Sequence, residues 1–200
     1  GRWSRGLGDV YKRQVQTREE TLLYDTGMAW RGGGSVAEQV ILPFLRSRSI
    51  RKVDRLVVSH ADLDHSGGAA AISNGVEVGA VLLGEPLPGI AGQRCRAGQG
   101  WHSGGVDFEF LHPSPESSIE GNDSSCVLRV TAGPHAMLQT GDIEAATEGA
   151  LIRRQAPLDA DIVIVPHHGS ATSSTVPFVR SVQPDYAVVS AGHANRWDFP

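Results

Sequence analysis

The chain predicts a layered α/β domain, and three observations carry the prediction. Strand-like and helical runs alternate near both ends of the sequence. The middle reads as successive strands with a short turn, an antiparallel arrangement. Three strands end in His and Asp residues, which rigid strand ends at one sheet edge would bring together.

At 200 residues and 21.3 kDa the chain is large enough for one domain with its own core. Its 40% apolar and 20% charged content reads as soluble and globular. No apolar run approaches the ~20 residues of a membrane span. The opening "GRWSRGLGDVYKRQ" has arginines but no apolar core of a signal peptide after them. A net charge of -4 excludes a global basic footprint for nucleic acid, although bound divalent cations would supply positive charge locally. Cys95 and Cys126 are too few for a disulfide framework. Two buried thiols are expected, with a single bridge as the alternative.

The elements follow in order. Residues 1–20 hold Arg2, Arg5, Lys12, Arg13 and Arg18 without apolar periodicity, and no strand is predicted there. "TLLYD" is a strand ending at Asp25, and "TGMAWRGGGS" a glycine-rich loop. "VAEQVILPFLRSR" has helical spacing through Val36, Val40, Ile41, Phe44 and Leu45, disturbed by Pro43. "RLVVS" is a strand, residues 60–65 a loop, "GGAAAIS" the start of a helix and "VEVGAVLL" a strand. After a Gly/Pro loop over residues 84–92 come the strands "VDFEFLHP", "SCVLRVT" and "HAMLQTGD". "EAATEGALIRR" is a helix, "DADIVIVPHHGS" a strand entering a loop, "VPFVRSV" a helix and "DYAVVSAG" a strand. One domain over residues 21–200 is expected.

The stretch "LVVSHADLDHSGG" puts His60, Asp62, Asp64 and His65 within six residues. A later strand ends at Gly141 and Asp142, and another at His167 and His168. Singly, each has a bland explanation as a turn or a solvated loop. Together these imidazoles and carboxylates suffice for two divalent ions, with a carboxylate such as Asp142 bridging them. Two-metal sites hold their ions ~3.5–4 Å apart and clamp the attacking and leaving oxygens of a displacement. Carboxylate-rich ligation keeps Mn²⁺ or Mg²⁺ in competition with Zn²⁺.

On "SHADLDH", "SGG", "TGD" and "PHHGS", the chain resembles the metallo-β-lactamase superfamily, whose first motif is His-x-His-x-Asp-His. Asp62 stands where that motif has its second His. With "GNDSSCVL", "VPHHGSATSS" and "PDYAVVSAGHANRW", the chain is similar to the C-terminal domain of ComEC-type competence proteins. The resemblance implies a four-layer αββα sandwich with two divalent ions, Mn, Zn or Mg, at one edge. His60 and Asp62 would serve one ion, Asp64 and His65 the other, and Asp142 both. His168 is preferred over His167 as the last ligand, and Asp64, Asp142 and His168 carry the catalytic weight. Where relatives place a further His, this chain has "GNDSS": Asn122 or Asp123 would stand in, with Ser125 contacting phosphate.

The implied activity is a metal-dependent phosphodiesterase that degrades the non-entering strand during DNA uptake. Alternatives are a hydrolase of a small-molecule ester, lactone or phosphodiester, or a weakly active module that binds DNA or a channel. The implied partners are single-stranded DNA and the membrane DNA-uptake channel of the parent protein. That places the domain at the inner membrane, on its periplasmic face, and the fragment itself in solution. Ser170, Ser173, Ser174, Asn195 and Arg196 are candidate phosphate contacts. Trp30 and Trp197 could stack on bases, core packing being the commoner role. His102, His112 and His135 are expected to be non-catalytic, while His193 could approach the site.

Three departures from the family stand out. The basic stretch up to about Gln14 does not fit the family's first strand and is expected to be foreign. "DFP" replaces a usual Gly-His-Pro, leaving no His at position 199, which is Phe199. The chain stops at Pro200, where the family continues, so a closing strand or helix is expected to be missing.

Overall fold

Alternation along each strand sorts its side chains onto two opposed apolar faces, and the layers follow from that. The computed structural model describes residues 13–116 and 118–191. The first sheet runs β1 (Arg13–Gln16), β2 (Thr21–Tyr24), β3 (Lys52–Val58), β4 (Glu77–Leu83), β5 (Gln93–Arg94). β1 and β2 pair antiparallel and all later neighbours pair parallel. The second sheet contains β6 (Gly100–Ser103), β7 (Val106–His112), β8 (Val127–Ala132), β9 (His135–Gln139), β10 (Ile162–Ile164) and β11 (Tyr186–Val188) in spatial sequence. The strands from β6 to β9 pair antiparallel; β10 lies parallel to both β9 and β11.

Leu22, Tyr24, Val57 and Leu82 fill the space between the sheets with Phe108, Phe110, Leu128 and Val130. The opposite face of the first sheet, with Leu23, Leu56, Val58 and Leu83, packs on Ile41, Leu42, Leu45 and Ile72. Those four lie on a π-helical turn (Ala37–Ile41), α1 (Leu42–Ser47) and α3 (Ala69–Gly75); the intervening α2 is a single turn (Leu63–Ser66). Behind the second sheet, Leu138 and Val163 meet Leu151 of α4 (Ala145–Arg153) and Phe178 and Val182 of α5 (Val176–Val182). Helix, sheet, sheet and helix make the expected αββα sandwich. The disturbance at Pro43 takes the form of the π-helical turn, after which the proline sits in the first turn of α1.

Several expectations need correcting. β1 occupies a stretch in which no strand was predicted, so the first sheet begins at Arg13 rather than Thr21. An edge strand needs little apolar content, and Val15 packing on the inter-sheet core supplies it. Residues 1–12, on which the expectation of a foreign segment mainly falls, lie outside the described residues. β6 was also unpredicted: Trp101 stacks on Phe108 across the strand pair, centroids 4.7 Å apart. Cys95 and Cys126 form a disulfide rather than two free thiols. The residues after β5 and before β8 face each other across the inter-sheet core, with Cα atoms 5.8 Å apart. No helix among the described residues is long and apolar enough to cross a membrane.

Candidate metal centre

Three strands of the two sheets deliver the candidate ligands to one edge. β3 ends at Val58, and Ser59 and His60 follow it into the interior, both buried. Asp62 then caps the one-turn α2, which presents Asp64 and His65 inward while Leu63 faces solvent. The Ala61 N–H donates to Glu85 Oε1 at 2.8 Å, anchoring this loop to the segment after β4. From the second sheet, β9 leads to Asp142, whose N–H donates to Ser125 Oγ at 3.0 Å. β10 leads through a short turn (Pro166–Gly169) to His168, held by a 2.8 Å hydrogen bond from Nδ1 to the Ser190 carbonyl.

Handedness of the backbone aims these groups. Asp25, Gly141, His167 and His168 all adopt positive φ, at 62°, 58°, 48° and 54°. Only glycine takes such angles without cost; the others pay ~1–3 kcal/mol each, tolerated where surrounding contacts over-determine the turn.

The side chains meet closely. His65 Nε2 and His168 Nε2 lie 3.1 and 3.3 Å from Asp142 Oδ2 and 3.2 Å from one another. Asp64 Oδ2 is 3.4 Å from His168 Nε2 and 3.8 Å from His65 Nε2. His60 stacks obliquely on His65, ring centroids 4.3 Å apart. Two groups have ligand atoms all within 4.8 Å of one another: His60, His65 and Asp142, and Asp64, His65 and His168.

Burial drives imidazolium and carboxylate groups toward neutrality, yet here ion pairing overrides it. Against that burial, Asp142 and Asp25 hold the His65 pKa well above its usual range. His168 is likewise raised to about 10, mainly by Asp142 and Asp64. Asp64 falls to about 2 despite burial because His168 and His65 face it, and the same two imidazoles hold Asp142 well below the carboxylate range.

Hydrogen bonding leaves two buried atoms of the cluster out. His60 Nε2 and Asp142 Oδ1 are buried without a hydrogen-bond partner. Each unsatisfied polar atom costs ~1–3 kcal/mol, and a divalent cation would satisfy both. Imidazole and carboxylate donors of this kind fit such an ion.

Not every predicted residue joins the cluster. Asp62 Oδ2 lies 3.7 Å from His60 Nε2, but the side chain is 60% exposed. His167 turns away, its Nδ1 3.0 Å from Thr172 Oγ1 and 3.2 Å from Glu144 Oε1. Asn122 and Asp123 are drawn to the start of α4 instead: Asn122 Nδ2 donates to Glu144 Oε1 at 3.2 Å and Asp123 Oδ1 accepts the Glu144 N–H at 2.9 Å. Ser125, a candidate phosphate contact, is fully buried, and its hydroxyl accepts the Asp142 N–H. Ser170 and Ser173 are also buried, the first 3.2 Å from Thr172 Oγ1 and the second donating to the Pro166 carbonyl. His112 is the buried last residue of β7 and donates to the Asp123 carbonyl at 2.8 Å. Trp30 packs against the helix-side core. His193, Asn195, Arg196, Trp197 and position 199 lie outside the described residues.

The sequence reading missed Asp25 and Ser59. Asp25 Oδ2 accepts from His65 Nδ1 at 2.8 Å, leaving Nε2 to face the cluster, while Oδ1 accepts the Ser59 N–H at 2.8 Å. A carboxylate on the far nitrogen of a ligating imidazole sets its tautomer and raises its basicity. The available signal was a fourth strand ending in Asp, followed by "TG".

The metallo-beta-lactamase superfamily model matches residues 15–193. The chain is 40% identical over 199 residues to Competence protein ComA of Neisseria gonorrhoeae, across 99% of this chain and 28% of that protein. It is 39% identical over 183 residues to Recombination protein 2 of Haemophilus influenzae, across 90% of this chain and 22% of that protein. It thus spans about a quarter of the length of these curated relatives. Among solved structures, a Cronobacter sakazakii metallo-beta-lactamase motif mutant superposes with a TM-score of 0.58 at 16% identity, over 78% of this chain and 70% of the other. The metallo-beta-lactamase fold protein YhfI of Bacillus subtilis gives 0.57 at 13% identity, over 99% and 85%. At such identities the likeness speaks to the fold alone. With the family match covering nearly all of the described residues, the chain belongs to the metallo-beta-lactamase superfamily.

Proposed function

We propose that this domain is the hydrolytic part of a DNA-uptake protein and cleaves phosphodiester bonds of single-stranded DNA. The observation that carries the reading is the convergence of His60, Asp64, His65, Asp142 and His168 with two buried, unsatisfied donor atoms among them. The kinship with competence proteins supplies the biological setting. One divalent ion would be held by Asp64, His65 and His168, the other by His60 with Asp62, and Asp142 would serve both. With Asp25 on its Nδ1, His65 would have Nε2 alone to offer an ion.

When bound, a pair of such ions supplies Lewis acidity toward a phosphoryl group and acidifies water. The chain's own residues hold the geometry. Asp25 keeps His65 in one tautomer, and Ser190 does the same for His168. Asp142, anchored through Ser125, sits between the two imidazoles and keeps them from repelling each other. The disulfide supports a place on the oxidising, periplasmic side of the inner membrane, beside the channel part of the parent protein.

The test is hydrolysis of end-labelled single-stranded DNA by metal-stripped protein, with Mn²⁺, Zn²⁺ or Mg²⁺ added back. Metal-dependent cutting should fall by ~100-fold or more in Asp142→Ala. Metal binding without any cutting would transfer the reading to a small-molecule ester, lactone or phosphodiester.

A further inference from the structure

At one point the two sheets approach so closely that no side chain fits between them. A Cβ on Gly84 would fall 1.7 Å from the Ser59 carbonyl oxygen and 2.5 Å from that of Ser124. Cys126 stands at this crossing. Its N–H donates to the Ser59 carbonyl at 3.1 Å, and its own carbonyl accepts from the Tyr24 hydroxyl. Its disulfide partner Cys95 donates to the Leu83 carbonyl at 2.8 Å. The bond therefore clamps the start of β8 against the ends of β3 and β4, the first of which runs directly into His60.

The residue before Cys126 is Ser125. Its hydroxyl accepts the Asp142 N–H at 3.0 Å and lies 3.4 Å from His60 Nδ1, joining candidate ligands that come from different sheets. Gly141 leaves it room, since a Cβ there would lie 2.6 Å from Ser125 Cβ. His60 and Asp142 are also the two residues with unsatisfied buried atoms in the centre.

We infer that the Cys95–Cys126 disulfide is a positioning element of the metal centre: it seats Ser125 between His60 and Asp142, so that full metal affinity belongs to the oxidised chain. This rests on the reading of the cluster as a metal site. Forming the bond takes two electrons and two protons from the two thiols and delivers them to an exchange partner's disulfide, which becomes a dithiol. Both cysteines are buried, so the bond is made as the chain folds rather than toggled afterwards.

The test compares Co²⁺ and Zn²⁺ affinity, by visible absorption and competition, in the oxidised chain, Cys95→Ala/Cys126→Ala, and oxidised Ser125→Ala. Measurements are made well below the melting temperature of each, where near-UV circular dichroism shows native packing. Both variants should bind about 10-fold more weakly, with an altered Co²⁺ spectrum. A role in stability alone would lower the melting temperature and leave affinity and spectrum unmoved, which overturns the inference. If the double variant does not fold, oxidised Ser125→Ala decides: affinity equal to the parent's overturns it. Absence of binding by every form, the parent included, overturns the metal centre and this inference together.

Discussion

The two halves of the centre are built on different principles. Around His65 the protein satisfies itself: Asp25 takes one ring nitrogen, and Asp142 and His168 face the other. Around His60 it does so less fully: Nδ1 lies 3.0 Å from Ser59 Oγ, while Nε2, 3.7 Å from the exposed Asp62 carboxylate, has no hydrogen-bond partner, nor has Asp142 Oδ1. One half is a charge network that stands without any ion. The other has two buried ligand atoms that an added cation would satisfy, and inside the protein its geometry is carried by neutral hydroxyls. The electrostatically closed half should hold its shape in metal-free protein, and the open half should respond most to occupancy.

The sharpest way to break this contrast is Asp25→Asn. The amide removes the negative charge behind His65, and metal affinity at that half should fall by ~10–100-fold. The half containing His60 should change little. Calorimetric titration would separate the two proposed ions, and an equal loss at both would erase the distinction.

pH separates the halves further. In metal-free protein His168 titrates at about 10, above its ordinary value, so its pairing stabilises the fold fully below ~6.5 and is lost as pH rises through about 10. The melting temperature of metal-free protein should therefore decline between pH 7 and 10. Metal affinity should move the other way, because protons on His65 and His168 must leave before an ion binds. Proton release measured in two buffers of different ionisation enthalpy checks the sign. The smallest effect is expected from His167→Ala. That ring contacts Thr172 and Glu144 outside the cluster, so metal affinity should stay within about twofold.

Much of this was legible in the sequence for definite reasons. The apolar runs "TLLY" and "RLVV" announced strands, and both lie in the first sheet. The dense run of residues 60–65 announced a site because four potential ligands in one loop have little other use. What stayed hidden were relations between distant segments. Asp25 reaches His65 across 40 positions, and Cys95 finds Cys126 only because two sheets face each other. Nothing local to Ser125 says that its hydroxyl accepts the Asp142 N–H, 17 positions away. β1 escaped because "RQVQ" has one apolar residue, and a neighbouring strand supplies the rest of its stability.

The left-handed residues at the strand ends bear on protein engineering. A designer who grafted the six candidate side chains onto another sandwich, keeping ordinary right-handed exits from its strands, would transplant the alphabet without the grammar. His167 and His168 face opposite ways because two consecutive residues turn left; Asp25 meets two partners at once for a similar reason. The transferable unit is the turn with its residue, and a library randomising positions 25, 141 and 167 should be enriched in Gly, Asn and Asp before any other type.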